Sequence, residues 1–516
     1  MPDVLGRFVS WLDRHRWGVL IGWSVHAFLV HLLFLGFTSW DGLGYRGVPV
    51  VEIAQHGVLD TSKYTDWAYL GYFPFVELAN VPFVKAFGLV GFLVAGLVLF
   101  PLCTAAVYRF AGELVGDRRG ALFGAIAYAA LPMYNAEPFA GYVDYVSCAL
   151  LAWWLWAVLR LRTHGGIRAV IWVAATSWLF TMSRVQGVYV VVALAVMLCA
   201  VLFGERAGWR LRLRDRRRAA LAVGGTLLGA LPAIGIQIYK LVEYGTPTYP
   251  LQLQLFGIKL GHGVPLENYF VYVGLKDGSA SEQLRAFVHG WIGHWGWPIG
   301  EFYDSRTSGA GLVFCLAAVL LIYFLRRCSR LERALVAACV VLSLLAHDFV
   351  HPRWSYTIVI ALVAVIGRSM TELADEKPRW FRVATLLLLL HALRPELDML
   401  QAKSGLYMRL GVVQTPLLVH GPGLISPFPD LGASLVIIGE PNRGLVLPFF
   451  GRKLTNVVVG TISPTDVGAR CSKLIGLVRA YPKLLFIDDS DLTHDCARRC
   501  VIPRKGSCSA FILDPQ

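Results

Sequence analysis

The sequence predicts a polytopic α-helical membrane protein of about 11 transmembrane helices, with a small extracytoplasmic α/β domain at its C-terminus. Three observations predict it. Of 516 residues, 56% are hydrophobic and 16% are charged, with a mean hydropathy of +0.57. A soluble domain carries about 25% charged residues. The apolar residues also gather into runs close to the length that a bilayer core requires. Past residue 399 those runs give way to short β-branched segments.

The apolar runs lie near 17–38, 84–108, 120–135, 144–160, 169–183, 186–204, 219–242, 309–325, 334–349, 355–368 and 383–398. Arg7, Arg14 and Arg16 precede the first, and no small-residue cleavage site follows it, so it reads as an uncleaved span. The alternating segments 1–16, 109–119, 160–168, 205–218, 326–333 and 368–382 together hold 24 Lys and Arg. The loops 39–83, 135–143, 184–185 and 350–354 hold only 4. Basic residues collect on the cytoplasmic side, so the N-terminus is expected inside and the C-terminal domain outside. That pattern accounts for the formal charge of +14, and a nucleic-acid partner is not expected.

The predicted transmembrane domain spans 1–398 and has two long outside loops, 39–83 and 243–308. Both are rich in Trp, Tyr, Gly and Pro, which suits short helices lying in the membrane interface. The predicted domain 399–516 holds short apolar runs at Leu435–Gly439, Val457–Gly460, Leu484–Asp488 and Ala510–Leu513. Between them, 464–481 and 490–500 have helical spacing. Its four cysteines, Cys471, Cys496, Cys500 and Cys508, fit up to two disulfides in any of three pairings. A zinc site using His494 fits less well, because the remaining spacing matches no finger pattern.

Ionisable residues at a membrane boundary are expensive and commonly functional. Asp41 follows the first run, in Trp40-Asp41-Gly42, and Asp144 opens the fourth, in Tyr142-Val143-Asp144-Tyr145. The topology puts both on the outer face, where one acid can serve as general base and another as metal or acceptor ligand. Asp also favours helix N-termini, an equally simple account of Asp144. Arg353, in His351-Pro352-Arg353-Trp354, and Arg184 lie on the same face, where a guanidinium fork matches phosphate oxygens. Both also suit interfacial anchors. On spacing alone, an enzyme acting on a lipid phosphate, a transporter and a flippase fit equally.

The first outside loop reads Asp41-Gly42-Leu43-Gly44-Tyr45-Arg46, then Gln55-His56-Gly57, then Pro74-Phe75-Val76-Glu77-Leu78. It resembles the first extracytoplasmic loop of bacterial GT-C glycosyltransferases, relatives of protein O-mannosyltransferases and the lipid A aminoarabinose transferase. In that family the loop typically reads Asp-x-x-x-Tyr-His, Gln-His-Gly and Pro-x-x-x-Glu-Leu, so Arg46 stands here where His is common. Tyr142-Val143-Asp144 resembles the family's second acidic motif. Tyr244-Gly245-Thr246-Pro247-Thr248-Tyr249-Pro250 is similar to its Gly-Asn-Pro-x-Tyr-Pro turn, with Thr246 in place of Asn. Tyr303-Asp304-Ser305-Arg306, Pro352-Arg353-Trp354 and Phe449-Phe450-Gly451-Arg452 extend the resemblance in the same order.

The resemblance implies an inverting transferase of the bacterial inner membrane. It would move a sugar from a polyprenyl-phosphate-linked donor to a glycan, lipid or protein acceptor outside the cytoplasm. Asp41 would be the general base, and Asp144 would position the acceptor or help bind a divalent ion. Arg353 and Arg184 would hold the donor phosphate, and Tyr45, Arg46 and Glu77 would line the substrate site. No cofactor is demanded, and a divalent metal ion is admitted because metal dependence varies in the superfamily. A flippase or exporter of lipid-linked sugars and an O-antigen polymerase or ligase are the alternatives. The absence of a Gly-rich phosphate loop of the Walker type counts against ATP-driven transport.

Overall fold

A computed structural model describes residues 2–30, 32, 46–59, 75–131, 134, 138–139, 143–184, 186–204, 213–247, 253–255, 258–260, 279–288, 291, 310–345, 355–392, 418–420, 423–425, 432, 434–438, 453–462, 484–488, 504–507 and 510–513. Up to residue 392 most of these are helical. Among the described residues, four helical segments are long and apolar enough to cross a membrane: Glu77–Val115, Asp144–His164, Arg217–Tyr244 and Tyr356–Glu376. Ile167–Ser183 and Gly187–Met197 are apolar but shorter.

The helices follow the apolar runs, with edges moved by local chemistry. The run expected at 84–108 is interrupted near its start, because Val81–Phe87 ends at Gly88, whose φ of 63° lies in the left-handed region. The long helix begins at Gly91 and continues to Val115. A Cβ at Gly91 would fall 2.3 Å from the Phe83 carbonyl oxygen, so only glycine allows this turn to close. Arg118–Ala129 opens on an Asp117 cap, whose Oδ1 accepts from Arg119 N at 2.6 Å and from Gly120 N at 3.4 Å. Arg330–Leu345 opens on a capping box: Ser329 Oγ accepts from Glu332 N, and Glu332 Oε2 accepts from Ser329 N.

Asp144–His164 and Ile167–Ser183 form an antiparallel pair joined through Gly165 and Gly166. Leu213–Tyr244 packs against both. Thr226 accepts from Trp154 Nε1 at 3.2 Å on its hydroxyl and from Ser177 Oγ at 2.8 Å on its carbonyl. Small and hydroxyl side chains permit this close approach where no hydrophobic force drives helices together. Gly229 shows the limit, since a Cβ there would stand 2.1 Å from the Ala174 carbonyl oxygen. The far sides of Ile167–Ser183 and Leu213–Tyr244 expose Ile167, Ile171, Leu228, Leu231 and Ile238, and the helix Gly311–Arg327 exposes Val319 and Ile322. Apolar side chains turned outward from a packed core suit lipid rather than water.

Described residues of both long loops pack through aromatic rings. Phe75 meets Trp178 edge-on with ring centres 5.4 Å apart. Trp291 and Phe287 pack on Phe314 at 5.2 and 5.7 Å. The first loop holds the helix Gly47–His56 and a 3-10 turn at Glu77–Asn80. The second holds the helix Ala280–Val288 and a hairpin of β1 (Leu253–Leu255) and β2 (Ile258–Leu260).

Near the C-terminus, β3 (Leu418–His420) and β4 (Gly423–Ile425) form another short hairpin. A five-stranded sheet follows, built from β5 (Ser434–Ile438), β6 (Val457–Ile462), β7 (Leu484–Asp488), β8 (Arg504–Ser507) and β9 (Ala510–Leu513). Its order is β6-β5-β7-β9-β8, with β6, β5 and β7 parallel and β9 antiparallel to both β7 and β8. Four of these strands fall on the four apolar runs of the sequence. β8 lies on the edge opposite β6. The segments of helical spacing at 464–481 and 490–500, and the four outer cysteines, lie outside the described residues.

Candidate functional site

Helix direction divides the bundle into two ends. At one end stand the last residues of Asp144–His164, Gly311–Arg327 and Tyr356–Glu376 and the first of Arg118–Ala129. Arg119–Asp375 at 2.7 Å, Arg327–Glu376 at 2.8 Å and Arg368–Glu332 at 3.3 Å lie here. At the other end, about 30 Å away along a 21-residue helix, the chemistry is different.

Asp144 is the first residue of its helix and is fully buried. Its carboxylate pairs with the guanidinium of Arg184, which caps the C-terminal end of the neighbouring helix Ile167–Ser183. A helix N-terminus favours the acid and a C-terminus favours the cation, so both helices support the pair. The Arg184 guanidinium lies 6.0 Å from the ring centre of Tyr356, the first residue of the Tyr356–Glu376 helix. Phe180 meets that ring edge-on at 5.7 Å. The Tyr356 backbone is anchored in turn, its carbonyl accepting from the Cys148 thiol at 3.7 Å. Tyr128 donates to the Tyr145 carbonyl at 2.6 Å, and Ser343 bonds Thr357. Three helix ends therefore converge on one buried ion pair beneath an aromatic ring.

A second buried ion pair lies in the first outside loop. Arg46 Nη1 donates to Glu77 Oε1 at 2.7 Å, and both side chains are below 10% exposed. The two residues expected to line a substrate site thus pair with each other, fixing the start of the helix Gly47–His56 against the 3-10 turn that leads into the bundle. At the helix's other end, Gln55 Nε2 donates to the carbonyls of Leu454 and Asn456 at 2.7 and 2.8 Å.

Of the sequence-predicted residues, the structure joins Asp144 to Arg184 and Arg46 to Glu77. Asp41, Tyr45 and Arg353 lie outside the described residues. The sequence reading passed over Tyr356, Cys148 and Phe180, ordinary apolar-run residues with no signal beyond their closeness to Arg353, Asp144 and Arg184. Lys240 was also passed over, although a lysine inside an apolar run is a signal. It is buried and stands 18 residues, or about five turns, beyond Ala222. That places it on the same buried stripe as Ala222, Thr226, Ala230 and Ala233, toward the outer end. Among the described residues, no three His, Cys, Asp or Glu side chains gather to hold a metal ion.

In its fold the chain is similar to solved structures of GT-C membrane proteins. The chain overlays the crystal structure of ArnT, the lipid A aminoarabinose transferase, from Cupriavidus metallidurans in the apo state with a TM-score of 0.54 at 13% identity, covering 97% of this chain and 98% of that one. The structure of the same enzyme bound to undecaprenyl phosphate gives a TM-score of 0.53 at 12% identity over the same shares of both chains. An oligosaccharyltransferase from Archaeoglobus fulgidus, tethered to an acceptor peptide, overlays at 0.48 and 14% identity, covering 95% of this chain and 69% of that one. No protein-family model and no curated protein matches the sequence.

Proposed function

We propose that the protein is a GT-C glycosyltransferase of the bacterial inner membrane, moving a sugar from a polyprenyl-phosphate-linked donor to an extracytoplasmic acceptor. The observation that carries this reading is an overlay on ArnT along essentially the whole of both chains, with a buried acid–arginine pair at the end opposite the arginine-rich one. One of those ArnT structures holds undecaprenyl phosphate. A polyprenyl tail can enter between helices while its phosphate stays at the interface, so no nucleotide-binding loop is required.

In this reading Asp41 takes the proton of the acceptor hydroxyl. The freed oxygen pair attacks the anomeric carbon in line, the bond from that carbon to the phosphate oxygen breaks, and its electrons leave with the phosphate. Configuration inverts. Charge grows on the phosphate in the transition state, and Arg184, Lys240 and Arg353, three residues before Tyr356, supply cations at that end. Asp144 holds the Arg184 guanidinium in a fixed orientation, so little reorganisation is needed as the charge develops. Arg46 and Glu77 brace the loop that bears Asp41 and Tyr45. A divalent ion would add charge stabilisation beside Asp41, since Asp144 is already paired with Arg184.

Transfer of label from radiolabelled polyprenyl-phosphate sugars to endogenous acceptors in membranes tests this reading. Wild type is expected to transfer and Asp41→Asn, at equal folded yield, to lose transfer. Loss with EDTA would add a metal. Undiminished transfer by Asp41→Asn removes the base, and no transfer from any donor by folded wild type moves the reading to a flippase.

A further inference from the structure

The helix Gly47–His56 is held at both ends. Its start is fixed by the buried Arg46–Glu77 pair, and its last turn by Gln55, whose single amide nitrogen donates to two carbonyls some 400 residues away in sequence. Those carbonyls belong to Leu454 and Asn456, in the segment that leads into β6. Leu454 has a φ of 57°, the left-handed conformation that a branched side chain rarely adopts. That turn lets alternate carbonyls converge on one donor. Asn456 and Val458 are fully buried although β6 is an edge strand of its sheet. An edge is normally exposed unless something covers it. Between its anchors, Val48, Val50, Val51 and Glu52 of the helix are buried as well. The two acceptors also fix the orientation of the amide, because only its NH2 can face carbonyl oxygens.

We propose that Gln55 is a positioning residue. Through it the C-terminal sheet sets the place of the first-loop helix, which begins six residues after Asp41 in the sequence. The link to catalysis rests on the transferase reading above, whereas the tie itself does not. The sheet then acts as a brace for the catalytic loop, so its removal or loosening acts at the active site from a distance.

The test uses the full-length protein in nanodiscs, comparing wild type, Gln55→Glu and Gln55→Asn. Gln55→Glu keeps the size and removes both N–H donors, while Gln55→Asn keeps the donors on a shorter stem. Hydrogen exchange is expected to rise about tenfold in Gln55→Glu over peptides 453–458 and 47–57, with Gly91–Val115 unchanged, and less in Gln55→Asn. Sugar transfer is expected to fall about tenfold in turnover with affinity for undecaprenyl phosphate itself unchanged. Unaltered exchange at both segments in Gln55→Glu overturns the tie. Raised exchange with unaltered turnover overturns the positioning role. A wild type without transfer sinks the transferase reading alone, because exchange over 47–57 still decides whether the sheet holds the helix.

Discussion

The two ends of the helical bundle use the same chemistry under opposite conditions. At the arginine-rich end the Arg119–Asp375 pair is solvent-facing, with 49% and 68% of the two side-chain surfaces exposed, although Glu332 opposite Arg368 is buried. At the outer end Asp144 keeps none and Arg184 12%. An exposed pair gains little, since water screens it and long side chains lose freedom. A buried pair has given up its hydration, so its worth lies in what happens when one partner is removed. The first end therefore acts through the sum of many cations, and the second fixes the geometry of individual ones. Charge number matters at one end and charge placement at the other.

The largest expected effect comes from breaking that second arrangement. Asp144→Asn leaves Arg184 as an uncompensated, mostly buried cation and should destabilise the folded protein by about 3–5 kcal/mol. Thermal unfolding in detergent reads the shift, and transfer should fall with it. The double variant Asp144→Asn/Arg184→Gln should recover stability relative to either single change while transfer stays lost. A double variant no more stable than the singles would contradict a direct pair. Glu77→Gln should behave alike within that range, because the Arg46 it leaves unpaired is at least as buried as Arg184.

How much of this was legible in the sequence follows from what each feature depends on. The helices could be read because burial in lipid demands a run of apolar side chains, a local property. Four of the five sheet strands could be read from short β-branched apolar runs, which are also local. The break between Gly88 and Gly91 could not, because a glycine inside an apolar run signals a close approach only once its neighbour, for Gly91 the Phe83 carbonyl, is known. Asp144 and Arg184 were each singled out as boundary charges, but their pairing depends on two helix ends meeting across 40 residues of sequence. Gln55 was legible as part of Gln-His-Gly and its role was not, since its acceptors are backbone carbonyls, which carry no residue identity at all.

Between the two ends, the packing of Leu213–Tyr244 on Ile167–Ser183 transmits position, and Gly229 is its tightest point. Gly229→Leu should destabilise by about 1–3 kcal/mol through overpacking against Ala174 and Ser177. The sharper outcome is in activity: helices forced apart should loosen the outer pair and reduce transfer while leaving membrane insertion normal. If transfer is unaffected at equal yield, the two ends are mechanically independent. Asp117→Ala, at the arginine-rich end, removes a cap and should cost about 1 kcal/mol with no change in transfer beyond the change in folded amount.

The smallest effect sharpens the comparison most cleanly. Arg119→Ala breaks an exposed pair that spans 256 residues of sequence and should change stability by at most about 0.2–1 kcal/mol. That change should shrink as salt is raised, because the Debye length is about 8 Å at physiological ionic strength and falls to about 3 Å at 1 M. Asp144→Asn should keep its full effect at the same salt, since ions do not reach a fully buried carboxylate. Parallel salt titrations of the two variants thus separate a screened pair from a desolvated one. Equal salt sensitivity would mean that the outer pair is reached by solvent, and that Arg184 is placed by long-range charge rather than by contact with Asp144.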